Sequence, residues 1–120
     1  MDQDPVVVSQ SYWEAEMQRD LDLIVSHFST DAVFYTPERT WTGIDEIRER
    51  YSRMIEEFPI LTLTTGWVLS EGERAAIEWH ASLTDTLGRS TLLAGVNLVH
   101  VAGGKFRSIR CYFGPSVGAQ

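Results

Sequence analysis

Glu78 and His80 stand two residues apart in Ala75–Asp85, a stretch whose residue types read as a β-strand. Strand side chains alternate between faces. The carboxylate and the imidazole therefore share one face with Ser82 and Thr84, while Ile77, Trp79, Ala81 and Leu83 share the other. A carboxylate beside an imidazole orients the ring and raises its basicity, which suits a general base at neutral pH. Such a base contributes about 10²–10⁴-fold to a rate. The plainer reading of the same alternation is an apolar core face and a polar solvent face, and this strand alone leaves both open. His27 closes a helical stretch and His100 lacks a comparable neighbour. The histidines and acids fall into no metal-binding spacing, and no glycine-rich loop follows a strand to cradle a phosphate. No metal and no cofactor is expected.

The elements that must position these residues come in two blocks. Ser9–Phe28 carries a helical period in Tyr12, Ala15, Leu21, Ile24, Val25 and Phe28, with a polar break at Arg19-Asp20. Ala32–Tyr35 reads as a short strand stopped by Thr36-Pro37. A second helix is predicted from Ile44 to Phe58, on Ile47, Tyr51, Met54 and Ile55, and Pro59 ends it. Four strands follow: Ile60–Leu69, Ala75–Asp85, Thr91–Val101 and Phe106–Phe113, the last two joined by a hairpin turn at Gly103-Gly104. Helices first and a meander afterwards make an α+β fold, with the helices on one sheet face. Both faces of the later strands carry apolar residues, so the second face needs a cover too. Within 120 residues a second copy of the chain is the cover to expect.

The bulk numbers bound the function. The length suits a single domain over 1–120. A net charge of -7 argues against nucleic acid and against an anionic membrane surface. The lone cysteine, Cys111, excludes an internal disulfide, and the acidic start Met1–Pro5 does not resemble a secretion leader. A cytoplasmic protein acting on a small molecule is expected.

The order of three motifs then resembles a known family. Asp20-Leu21-Asp22-Leu23-Ile24-Val25 with Phe28 and Asp31-Ala32-Val33 is one. Gly43-Ile44-Asp45-Glu46-Ile47-Arg48-Glu49-Arg50-Tyr51 is the second, and Gly104–Gly114 is the third. Together they resemble bacterial ketosteroid isomerases and SnoaL-like polyketide cyclases of the nuclear transport factor two superfamily. The resemblance runs from about Tyr12 to Gly114. It implies a cone: N-terminal helices packed on a curved antiparallel sheet that encloses one pocket.

Carried over residue by residue, the resemblance puts the oxyanion-binding tyrosine on Tyr12. The oxyanion-binding carboxylic acid falls on Asn97, whose amide can still donate, and the catalytic aspartate falls on Thr36, which cannot act as a base. It also turns Glu78, His80, Ser82 and Thr84 into the cone, so that His80, oriented by Glu78, replaces the lost base. The pocket is then lined by Phe34, Val99, Ile109 and Phe113. Thr36, Ser82 and Cys111 lie within reach of substrate, and Cys111 serves as a small hydrophobe. Arg50, near the mouth, either pairs with Glu46 or Glu57 or binds an acidic substrate group. Trp79, Leu83, Val96, Leu98 and Tyr112 would point outward and bury themselves in a homodimer.

Three functions follow as expectations. The first is an enzyme for a small apolar carbonyl compound, working through an enolate as an isomerase, aldol-type cyclase or dehydratase. An epoxide hydrolase is a variant of it. The third is a non-catalytic binding or assembly module.

Overall fold

A computed structural model of the chain describes residues 4–116; Met1–Gln3, part of the leader argument, lie outside the described residues. Helix α1 spans Pro5–Met17. Asp4 caps it, its carboxylate accepting from the Val6 amide at 2.8 Å, and Pro5 occupies a first-turn position where its missing N–H costs nothing. The polar break predicted at Arg19-Asp20 is a corner. Arg19 takes a left-handed backbone (φ 56°), and Asp20 caps the short helix α2, Leu21–Val25. The Arg19 guanidinium holds the corner by donating to the Phe58 carbonyl at 3.0 and 2.6 Å. Helix α3, Ile44–Glu57, lies where its apolar spacing predicts, with Ile47 and Tyr51 buried and Asp45 and Glu46 in the first turn, where acids are favoured.

The strands are β1 (Phe28–Thr36), β2 (Arg39–Thr42), β3 (Ile60–Glu71), β4 (Arg74–Thr84), β5 (Ser90–Ala102) and β6 (Lys105–Pro115). They form one curled, unclosed sheet in the order β2-β1-β6-β5-β4-β3. Two features differ from expectation. The sheet is mixed, because β1 pairs with β6 in parallel, with Phe34 opposite Ile109. The four-residue β2 adds an edge beyond β1, closed by a turn in which the Thr36 hydroxyl donates to the Arg39 carbonyl and accepts from the Arg39 amide, both at 3.2 Å.

Register decides which side chains reach the helices. The β4–β5 hairpin pairs Thr84 with Ser90, and this pairing runs on to Trp79 opposite Gly95 and Ile77 opposite Asn97. Asn97 in turn opposes Cys111 on β6. Residues directly opposite share a face, so Ile77, Trp79, Ala81 and Leu83 stand with Asn97 and Cys111 on the helix side. Glu78, His80, Ser82 and Thr84 stand on the other. The inward placement expected for the polar four is thus overturned, and with it the outward placement of Trp79 and Leu83.

Two glycines show how the sheet accommodates this. Gly95 leaves room for the Trp79 indole; a Cβ there would stand 2.8 Å from Trp79 Cζ2. Gly66 lies in a register shift between Thr65 and Val68, directly under the Glu78 carboxylate. That carboxylate accepts the Trp67 amide at 3.0 Å, so Glu78 satisfies a bulge amide instead of orienting His80.

Candidate functional site

Helices α1 and α3 and the concave sheet face enclose a cavity of about 430 Å³. Its walls are mostly aromatic and aliphatic, including Trp13, Phe34, Trp41, Leu61, Trp79, Leu83 and Phe113. Polar groups are few: Tyr12, Glu16, Arg50 and Asn97, with Cys111 beside them and Arg39, Arg53, Glu49 and Glu57 at the more exposed positions. Small-molecule sites have this make-up: an apolar cavity with a small number of placed polar groups.

Tyr12 and Glu16 come from one face of α1, a single helical turn apart. The Tyr12 ring packs edge-on against Phe28, Phe106 and Tyr51, with centroids 5.8, 5.3 and 6.1 Å away, which aims its hydroxyl at the hydroxyl of Tyr51. The two hydroxyls are hydrogen-bonded to each other and both residues are buried. Burial pushes Tyr12 well above the usual tyrosine range, and the Glu16 charge adds to the push. Tyr51 is raised for the same two reasons. Glu16 is itself buried. Loss of hydration raises its carboxyl above the ordinary range, against the pull of the Tyr12 hydroxyl, Arg50 and Arg19. Arg19 Nη1 stands 3.6 Å from Glu16 Oε1.

Asn97 presents a donor whose orientation is determined. Trp79 Nε1 donates to Asn97 Oδ1 at 2.9 Å, both residues being buried. An indole N–H can only donate, so the amide must turn its oxygen to Trp79 and keep its NH₂ for something else. No hydrogen bond to that NH₂ occurs among the described residues, and Asn97 lines the cavity.

Arg50 stacks on rings. Its guanidinium carbon lies 4.0 Å from the Phe34 centroid, 4.8 Å from Tyr51 and 5.1 Å from Trp41. It pairs with neither Glu46 nor Glu57; the Glu46 carboxylate instead accepts the Thr42 amide at 2.9 Å. Burial pushes the Cys111 thiol up to about 11, which makes it the small hydrophobe expected of it.

The cavity therefore brings together Tyr12, Asn97, Phe34, Arg50, Cys111 and Phe113. Val99 and Ile109 are buried in the core without lining it. Thr36 is buried in the β1–β2 turn, away from the cavity lining. His80, Ser82 and Glu78 lie on the convex face, with His80 exposed. Sequence reasoning missed Glu16, Tyr51 and Trp79. The signal for Glu16 was its spacing alone: it stands four residues from Tyr12, on the helix face that also buries Val8 and Ser9. Among the described residues no cluster of three or more potential ligands could hold a metal.

The profile of the SnoaL-like domain matches residues 9–109. The chain belongs to the SnoaL-like domain family. Among curated proteins none matches the sequence. Solved structures agree on the SnoaL-like architecture. An NTF2-like protein of unknown function from Burkholderia pseudomallei K96243 has a TM-score of 0.79 at 20% identity, over 95% of this chain and 92% of its own. TerC, co-crystallised with polyporic acid, gives 0.79 at 18% identity over 92% and 91%. An LEH-like epoxide hydrolase from M. tuberculosis gives 0.81 at 14% over 92% and 82%. At such identities the likeness is one of fold.

Proposed function

We propose that this SnoaL-like domain is an acid–base enzyme for a small, apolar, carbonyl-containing substrate, working through an enolate as an isomerase or an aldol-type cyclase or dehydratase. The observation that carries the reading is Glu16: a carboxylate in the wall of an apolar cavity, raised by burial and bonded to the Tyr12 hydroxyl, which is itself paired with that of Tyr51. A raised carboxyl is matched to accepting and returning a carbon-bound proton near neutral pH. Glu16 takes the role first given to His80, which the sheet register turns away. As the proton leaves carbon, negative charge builds on the carbonyl oxygen. The Asn97 NH₂, fixed by Trp79, donates to that oxygen. Once Glu16 holds the proton, the Tyr12 hydroxyl is released from it and completes the polar end. A well-placed donor of this kind is worth about 3 kcal/mol in a transition state.

The test uses a surrogate, because exchange of an acidic α-proton needs only the base and the oxyanion donor. In D₂O the protein should accelerate deuterium uptake at the α-carbon of 2-tetralone, followed by NMR. Glu16→Gln should reduce the accelerated rate about 10²-fold or more with the fold intact. Exchange that is equally fast in the Gln variant removes Glu16 as the base. A wild-type rate equal to buffer, with 2-tetralone bound, supports the binding-module reading instead.

We further propose that the chain is a homodimer through the convex sheet face, where Leu92, Leu98 and Tyr112 are more than a third exposed. No helix among the described residues is long and apolar enough to cross a membrane.

A further inference from the structure

Arg50 lines the cavity wall, and its guanidinium makes no hydrogen bond among the described residues. Its three ring contacts hold the guanidinium in place without satisfying any of its N–H groups. None of the nearby acids forms an ion pair with it: Glu49 pairs with Arg53 at 3.2 Å and Asp22 with Arg48 at 2.9 Å, Glu46 accepts the Thr42 amide, Glu57 stays at an exposed position, and Glu16, which feels the Arg50 charge, contacts Tyr12 and Arg19. Arg39, also lining the cavity, lies 4.9 Å over the Trp41 ring and forms no ion pair among the described residues. Two uncommitted guanidiniums thus share one indole at the cavity wall, in a chain whose net charge is -7. A half-buried guanidinium without an acceptor is costly to leave unpaired. Its planar fork fits two oxygens at once, and the rings around it fit a flat apolar body.

We infer that the ligand of this cavity is a planar aromatic or conjugated carboxylate, bound with its anionic oxygens on Arg50 and its ring system among the aromatic walls. This rests on the proposed function only in placing substrate in the same cavity; it does not need Glu16 to be the base. Arg50 then sets specificity, selecting an acid over its neutral counterpart, and Arg39 draws the anion to the mouth.

The test is binding, with no turnover required. 2-Naphthoate and 2-naphthamide are titrated into the full chain by calorimetry. The acid should bind at least tenfold more tightly than the amide, and this preference should shrink at high salt. Arg50→Gln should abolish the preference by weakening the acid alone, while Arg50→Lys should restore part of it. The titration reads no turnover, so a failed exchange assay and a failed binding assay point to different errors. Equal affinity of wild type for acid and amide overturns the inference without any variant. So does an undiminished preference in a folded Arg50→Gln protein.

Discussion

Trp79 Nε1 donates to Asn97 Oδ1 at 2.9 Å across the concave face of the sheet. The bond ties the one large aromatic of β4 to the one amide of the cavity, over the gap that Gly95 leaves. Removing the indole N–H leaves a buried carbonyl oxygen without a partner and releases the amide to flip. Trp79→Phe and Asn97→Ala should therefore each destabilise the fold, by about 1–3 kcal/mol. In a double-mutant cycle by urea unfolding they should couple by about 1 kcal/mol. Strict additivity would show that the bond contributes nothing.

Glu16 links stability to pH. Its carboxyl is raised in the folded chain, so the folded state holds its proton more tightly than the unfolded state does. Stability then falls as pH rises from the ordinary carboxylate range through the raised folded value. Glutamine mimics the protonated form and cannot be ionised. The melting temperature of Glu16→Gln relative to wild type should accordingly be higher at pH 8 than at pH 5. An identical difference at both pH values would mean that the carboxyl titrates as in water.

Cys111 should be inert while the chain is folded. With its thiol pushed up to about 11, the thiolate fraction at pH 8 is on the order of 10⁻³, and the side chain is buried. A thiol reagent at pH 8 should modify it within minutes in urea and only slowly in buffer. Rapid reaction of the native protein would show that the cavity opens to reagent more readily than its walls suggest.

Much of this was legible in the residues. Helix α3 follows from Ile47, Tyr51, Met54 and Ile55 alone, because helical spacing on one face dictates burial on that face. The helix-then-meander order gives the α+β class. The parallel β1–β6 pairing was not legible, because it joins strands from opposite ends of the chain and no local pattern specifies such a partner. Strand β2 is too short for its own periodicity. The orientation of β4 was legible in its plainest form: Ile77, Trp79, Ala81 and Leu83 are its core face. The Glu78/His80 spacing suggested otherwise, but the Thr84–Ser90 closure pairs odd residues with odd ones and puts Asn97 opposite Ile77. A carboxylate two residues from an imidazole was a weaker signal than four apolar residues in alternation. Glu16 escaped because the apolar period of its helix does not include it, and only the packed sheet shows that its face is covered.

The convex face should hold two chains together. Leu92, Ala94, Val96 and Leu98 of β5 alternate with the cavity residues and so share this face, and Tyr112 joins them opposite Val96. None of these five carries a charge, and the carboxylate beside them, Glu78 opposite Val96, is held by the Trp67 amide. Beside them the Arg110 guanidinium lies 4.0 Å over the Tyr35 ring and donates to the Tyr112 hydroxyl at 3.0 Å, which stiffens the rim. Residues 4–116 supply no layer over this surface, whereas a second copy covers it through a two-fold axis, the commonest closed symmetry. Each Leu side chain newly buried there contributes up to about 1.5–3 kcal/mol. Sedimentation at micromolar concentration should give twice the 13.6 kDa chain mass. Leu98→Arg should return the monomer with its helical circular dichroism retained, because Leu98 points away from the core. Trp79→Phe should leave the dimer intact, because Trp79 points into the cavity. A monomeric wild-type protein would refute the interface, and a dimer split by Trp79→Phe but not by Leu98→Arg would place it elsewhere.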